Sequence, residues 1–163
     1  MAGHHFGLHI DEDWLATAGG FKNTGSAGGS NILRLYPAVA SEAGFSLIRD
    51  NKFDEVSVRR AIADGFPVIV WRRFSHERDH LHTRFSRSYT RNSDSTLPDP
   101  TLPDEIASWP GKNAPLHASV IMGYHEERGE FLFLESWSGR DKPRRMRAEE
   151  MEATAYLTFI FRP

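Results

Sequence analysis

The pattern of apolar and polar positions predicts a helix in the first quarter of the chain. Apolar side chains recur at three- and four-residue spacing over 32–43, and Gly44 is suited to end a helix there. Pro37 lies inside this pattern, so we expect either a kink or a helix that starts late, near Tyr36.

Two further segments of the N-terminal half have helical signals. Residues 9–16 open with acidic side chains and continue with Trp14 and Leu15, as in the first turns of an amphipathic helix. Asp54 is placed to cap another helix, which we expect to end at Gly65. The N-terminal part is therefore predicted to be mainly helical.

The later pattern is typical of strands. Residues 67–71 form a β-branched run bounded by turn residues, which predicts a buried strand. Residues 118–124 and 130–135 predict an antiparallel hairpin, with Gly129 at the turn position that requires positive φ. The last strand is expected at 155–162.

The order of these elements predicts an α+β fold. We expect one domain over 1–163, with N-terminal helices packed on a C-terminal antiparallel sheet and a short helix at about 146–151. Residues from about 72 to 113 are rich in arginine and then in proline. We interpret them as a basic insertion with at most one short helix.

Composition excludes several classes of protein. The 163 residues are 39% hydrophobic, which is enough to build a hydrophobic core. The formal net charge is only −2, so neither a nucleic acid nor a membrane is indicated as a partner. The N-terminus has no signal-peptide pattern and no apolar run reaches membrane length, so a cytoplasmic location is expected. The abrupt start at Met1 would also fit a chain truncated at its N-terminus.

Cofactor sites are not predicted. His76, His80 and His82 are close in sequence, but neighbouring arginines would repel a metal cation, so a solvated basic loop is expected. The Gly-rich stretch 25–29 lacks the Lys-Ser/Thr of a phosphate-binding loop. We therefore expect no metal and no nucleotide cofactor.

The candidate chemistry lies in the predicted hairpin. His117 begins one strand and Glu135 ends its partner, so a short turn would bring the two side by side, within reach of a hydrogen bond. An imidazole oriented by a carboxylate is a general base. On spacing alone, a strand-end histidine and a surface carboxylate without mutual contact is the commoner arrangement.

The residues around this pair resemble papain-like cysteine peptidases. The segments 116–124 and 131–139 are similar to the histidine strand and the Asn-Ser-Trp-Gly turn of that family. The resemblance places His117 on the family's histidine and Glu135 on its asparagine. It places Ser136 and Trp137 on the Ser-Trp pair, whose indole covers the His–Asn bond. The stretches 9–15, 25–29 and 58–68 are similar to other family segments in the same order.

The cysteine that this resemblance calls for is absent, because the chain contains none. In one alignment with the family the nucleophile helix would precede residue 1. In a second, which follows bacteriocin-processing peptidases, Ala27 would occupy the cysteine position. The resemblance therefore implies a catalytically incomplete fragment or pseudo-peptidase with a residual cleft for a peptide or protein.

The sequence is also compatible with two other functions. The chain would be a hydrolase or acyltransferase if a serine replaced the cysteine, with His117 as base and Ser26 or Ser30 as the nucleophile. Loop serines are more often turn and cap residues. Alternatively, the chain is a non-catalytic interaction domain whose partner contacts lie along the basic segment 72–91. The sequence indicates neither a substrate nor an oligomeric state.

Overall fold

The computed structural model describes residue 7 and residues 12–19, 32–86, 96–135 and 143–163. The helices within these ranges are α1 (Glu12–Ala18), α2 (Ile32–Glu42), α3 (Glu55–Ala63), α4 (His76–Ser86), α5 (Pro103–Ala107) and α6 (Ala148–Thr154). The strands are β1 (Ser46–Asp50), β2 (Val68–Arg73), β3 (Leu116–His125), β4 (Glu130–Glu135), β5 (Arg144–Arg147) and β6 (Ala155–Arg162). A 3₁₀ turn, Glu126–Arg128, joins β3 to β4.

The described strands form one antiparallel sheet in the order β1-β6-β2-β3-β4-β5. The last strand of the chain, β6, thus lies between the first two, so both halves of the chain build the same sheet. The predicted α+β architecture of helices packed on an antiparallel sheet is confirmed. The pattern assigned no element to β1, a mostly exposed strand at the edge of the sheet.

Two apolar cores lie on opposite faces of this sheet. On one face, α1 and α2 pack on β6, where the Tyr36 ring meets the edges of Phe159 and Phe161 at centroid distances of 4.7 and 5.9 Å. On the other face, α3 and α6 cover a core that includes Phe131 and Phe133. Burying each such side chain contributes about 1.5–3 kcal/mol.

Helix α2 begins at Ile32 and continues through Pro37, so the late start near Tyr36 is wrong. The buried residues Val39 and Ala40 anchor the helix on the sheet, and this packing offsets the backbone hydrogen bond that proline cannot make. The predicted cap at Gly44 is confirmed. Gly44 has φ +74°, and the N–H of Phe45 donates to the carbonyl of Ala40 at 2.8 Å.

Helix α3 has the predicted boundaries because both ends are fixed by local chemistry. The Asp54 carboxylate accepts a hydrogen bond from the backbone N–H of Val56 at 3.3 Å. At the other end Gly65 has φ +85°, and the N–H of Phe66 donates to the carbonyl of Ala61 at 2.8 Å. The chain leaves this turn directly into β2.

The predicted hairpin of β3 and β4 is also confirmed. Its turn ends at Gly129, which has φ +59° as the pattern requires. A register shift between Ile121 and Gly123 leaves Met122 without a partner on β4. Beyond this bulge the register places Ser119 directly opposite Glu135.

The expectation that 72–113 holds at most one short helix is wrong. The segment holds the end of β2, the eleven-residue helix α4 and the short helix α5. Arg78, Asp79 and His82 recur at helical spacing on α4 and are all buried. The composition predicted that this segment is solvated. The three side chains pack inside the protein because each has a partner of opposite or complementary charge.

The short helix predicted at about 146–151 begins later than expected. Arg144–Arg147 is the edge strand β5, with Arg145 opposite Leu132 and Met146 opposite Phe131 of β4, and helix α6 follows. The apolar spacing around Met146 could not distinguish a strand from a helix, because the strand is stabilised by pairing with β4, which is a tertiary contact. No helix in the described ranges is long and apolar enough to span a membrane.

Candidate functional site

His117 and Glu135 are brought together at one end of β3 and β4. Nε2 of His117 is hydrogen-bonded to Oε2 of Glu135. The pair is diagonal, however, because Glu135 lies opposite Ser119 while His117 lies opposite Arg72 of β2. The expected hydrogen bond is present, but the two residues are diagonal neighbours and not directly opposite partners. Their side chains share a face of the sheet and the glutamate spans the diagonal.

Burial distinguishes the two partners. The Glu135 side chain is 0% exposed and that of His117 is 11% exposed. Glu135 is therefore an interior carboxylate, and the alternative of a surface carboxylate without a partner is excluded. Only the imidazole of this pair reaches the surface.

The second oxygen of Glu135 has its own partners. Arg72 Nη2 lies 2.5 Å from Oε1, and the Ser119 hydroxyl donates to the same oxygen at 2.9 Å. Arg72 Nε in turn donates to Ser119 Oγ at 3.0 Å. Nη1 of Arg144 lies 3.9 Å from Oε1 and also contacts Asp79 of α4. Both carboxylate oxygens are thus held by the protein.

Aromatic rings enclose this ionic group. The Arg72 guanidinium carbon lies 5.1 Å from the ring centroid of Phe133 and 5.9 Å from that of Phe74. The ring of Phe74 lies 5.4 Å from that of His117. Such surroundings lower the local dielectric and strengthen the interactions of the charges they enclose.

The electrostatics keep Glu135 ionised. Burial alone would raise the pKa of the Glu135 carboxyl, but the hydrogen bond from His117 and the charge of Arg72 outweigh it and lower that pKa. An ionised carboxylate can only accept a hydrogen bond, so the proton of the neutral His117 ring is on Nε2, and Nδ1 is the unprotonated nitrogen.

Sequence reasoning missed Arg72 and Ser119 as members of the site. Ser119 follows His117 by two positions in a predicted strand, so a shared sheet face was the available signal. Arg72 lies just beyond the predicted strand 67–71 and was counted with the basic insertion. Its burial depends on strand pairing, which the pattern does not contain.

A second buried ionic cluster lies between α4 and α6. Glu150 accepts hydrogen bonds from Arg78 at 2.5 and 2.9 Å, and Nε2 of His82 lies 3.0 Å from Glu150 Oε2. Arg78 also lies 2.5 Å from Glu105. Burial would raise the pKa of Glu150, but His82 and Arg78 hold that pKa at about 2. This cluster connects the two helices.

The three histidines of α4 therefore differ from the solvated loop that was expected. His82 is 0% exposed, whereas His76 and His80 are exposed. Within the described residues there is no group of three or more side chains suited to hold a metal ion.

Five of the predicted site residues lie outside the part of the chain that the structure describes. They are the three nucleophile candidates and the two residues expected to shape the site: Ser26, Ala27, Ser30, Ser136 and Trp137.

Comparison with known proteins identifies the fold. No family model matches the chain, and no curated protein matches it. Among solved structures, it resembles the peptidase domain of Streptococcus ComA, a bifunctional ABC transporter involved in a quorum-sensing pathway. The TM-score is 0.56 at 14% identity over 99% of this chain and 84% of that one. The chain therefore has the fold of a papain-like peptidase domain.

Proposed function

We propose that this chain is a pseudo-peptidase: a papain-like peptidase domain that lacks its nucleophile and retains a cleft for a peptide or protein. One observation carries the proposal. The His117–Glu135 hydrogen bond is present, with Glu135 fully buried, in a chain that contains no cysteine.

The arrangement supports binding better than peptide cleavage. An imidazole on a buried carboxylate can accept a proton, but covalent attack by a cysteine peptidase requires a thiolate, which this chain cannot form.

Restoring a cysteine tests one part of the proposal, the position of the lost nucleophile. If Ala27 occupies the lost position, Ala27→Cys should react with iodoacetamide about tenfold faster at neutral pH than a surface cysteine, because a nearby imidazole favours the thiolate. Ser41→Cys is the control, since Ser41 is exposed on α2. Adding His117→Ala to Ala27→Cys should remove the difference.

The contrary result is equally clear. If the thiol of Ala27→Cys reacts no faster than that of Ser41→Cys, and His117→Ala changes neither, then His117 does not face this position. The assignment of Ala27 as the lost nucleophile position is then wrong.

A serine-dependent hydrolase is the second candidate, and the ionised state of Glu135 favours it, because a general base needs such a partner. Ser119 is not the nucleophile, since it is 1% exposed and its hydroxyl donates a hydrogen bond to Glu135. Ser26 and Ser30 are the candidates. Labelling by a fluorophosphonate probe that His117→Ala abolishes would support this candidate, and absence of labelling would remove it.

The third hypothesis, a partner surface on the basic segment, is restricted by the structure. Arg72 and Arg78 are 1% and 3% exposed and cannot contact a partner. No observation favours this function over the first two.

A further inference from the structure

We propose that Arg72 is a positioning residue for His117 that acts through Glu135. By holding Oε1 of the carboxylate, Arg72 leaves Oε2 as the oxygen that meets the imidazole. It thereby selects the tautomer of His117 that carries its proton on Nε2. The use of this tautomer in a peptide-binding cleft rests on the proposed function. The effect of Arg72 on His117 through Glu135 does not, because it depends only on these three residues.

The first support is a closed ring of hydrogen bonds. Arg72 Nη2 lies 2.5 Å from Glu135 Oε1, Arg72 Nε donates to Ser119 Oγ at 3.0 Å, and Ser119 donates to Oε1 at 2.9 Å. The single proton of the serine hydroxyl is used in this ring, and the guanidinium donors have fixed directions. Rotating the carboxylate would break these bonds at a side chain that is 0% exposed.

The second support is the distribution of charge around Glu135. The charged and titratable groups that face it are Arg72 of β2, His117 of β3 and Arg144 of β5, the last at 3.9 Å from Oε1. Both guanidinium groups are on the Oε1 side, and the imidazole is on the Oε2 side. The carboxylate charge is thus offset at one oxygen, while the other accepts the ring proton.

The third support is the way Arg72 is itself held. The residue is 1% exposed, and its guanidinium packs against the rings of Phe133 and Phe74. A buried arginine that lost its anion would be strongly destabilised, so the guanidinium and the carboxylate remain together. Phe74 also packs on His117, so one aromatic side chain contacts both the arginine and the ring it positions.

The chain offers a matched control for a purely structural arginine. Arg145 is 0% exposed and bonds to Glu130 at 2.7 and 3.0 Å, on β5 and at the turn end of β4. Removing either arginine takes a buried cation from a buried carboxylate. Only the loss of Arg72 should change His117.

The experiment is nitrogen NMR of protein labelled at histidine, with the His117 signals assigned by their absence from His117→Ala. It measures the tautomer of His117 and the rate at which its ring N–H exchanges with water, at a pH where the ring is neutral. Wild type should show the Nε2–H tautomer with slow exchange. In Arg72→Met exchange should be about tenfold faster, or both tautomers should be populated, because the carboxylate is no longer fixed. Arg72→Lys should give an exchange rate between those of wild type and Arg72→Met, and Arg145→Met should match wild type.

A folded Arg72→Met protein with the wild-type tautomer and exchange rate would overturn the proposal. If Arg72→Met does not fold, Arg72→Lys decides the question, because it keeps the charge but cannot bond Ser119 and Glu135 in the same geometry. Wild-type values in Arg72→Lys would then overturn it. These measurements need no activity, so a failure of the thiol-reactivity test would leave them valid, and the reverse also holds.

Discussion

The hydrogen bond between His117 and Glu135 crosses the β3–β4 ladder on the diagonal. Glu135 pairs with Ser119 across the hairpin, and His117 pairs with Arg72 on the other side of β3. The imidazole and the carboxylate meet because residues two positions apart share a face of a strand. The geometry of the site therefore depends on the register of a hairpin whose turn lies at the opposite end of both strands.

Gly129→Ala tests the turn that sets this register. Gly129 has φ +59°, and an added Cβ would find its nearest neighbour, the Tyr124 hydroxyl, at 3.9 Å, so backbone strain and not crowding decides the cost. We expect a loss of about 1 kcal/mol in the free energy of unfolding, measured by urea denaturation. Gly111→Ala is the control, because Gly111 has no positive φ and open space around it. Equal unfolding free energies for the two variants would contradict this account of the turn.

Glu135→Gln should destabilise the protein by about 3 kcal/mol at neutral pH, since Arg72 would then be buried without its anion. The pKa of Glu135 is lowered in the folded state, by His117 and Arg72 against the opposing effect of burial. The stability it contributes is therefore present above the unfolded pKa of about 4.3 and is lost as the pH falls below it. Urea denaturation should show that the difference in unfolding free energy between Glu135→Gln and wild type shrinks from neutral to acid pH. Glu127→Gln, on the exposed hairpin turn, should differ little from wild type at any of these pH values.

Glu150→Gln tests the second ionic cluster in the same way. Burial would raise the pKa of Glu150, while His82 and Arg78 hold it at about 2. Its contribution should be complete above about pH 4.3 and should decline towards pH 2. We expect a loss of about 3 kcal/mol at neutral pH. Glu152→Gln, exposed on the same helix, should be neutral, and a similar loss there would mean that the effect is not specific to the buried cluster.

Local signals were the ones that the sequence carried well. Asp54, Gly65 and Gly129 each fix a helix end or a turn through their own backbone or side-chain chemistry, and each lies where the pattern placed it. Such signals need only a few neighbouring residues. The order of the helices and hairpin followed from them, and with it the class of fold.

Charged elements were predicted poorly. Helix α4 carries Arg78, Asp79 and His82, and its composition favoured a solvated loop, yet these side chains are buried on partners distant in sequence. For Arg78 the partner Glu150 lies on α6, and for Asp79 the partner Arg144 lies on β5. Burial of a charge is favourable only when its partner is present, and the partner is not visible in the local pattern.

The sequence alone therefore determined the hairpin, the helix caps, the lack of a thiol and the two residues, His117 and Glu135, that the fold brings together. Only the tertiary structure decided that the pair is diagonal, that Glu135 is buried and ionised, and that Arg72 holds its second oxygen. The reason is physical. Backbone propensity and turn chemistry act over a few residues, whereas the state of a buried carboxylate depends on charges that other strands bring to it.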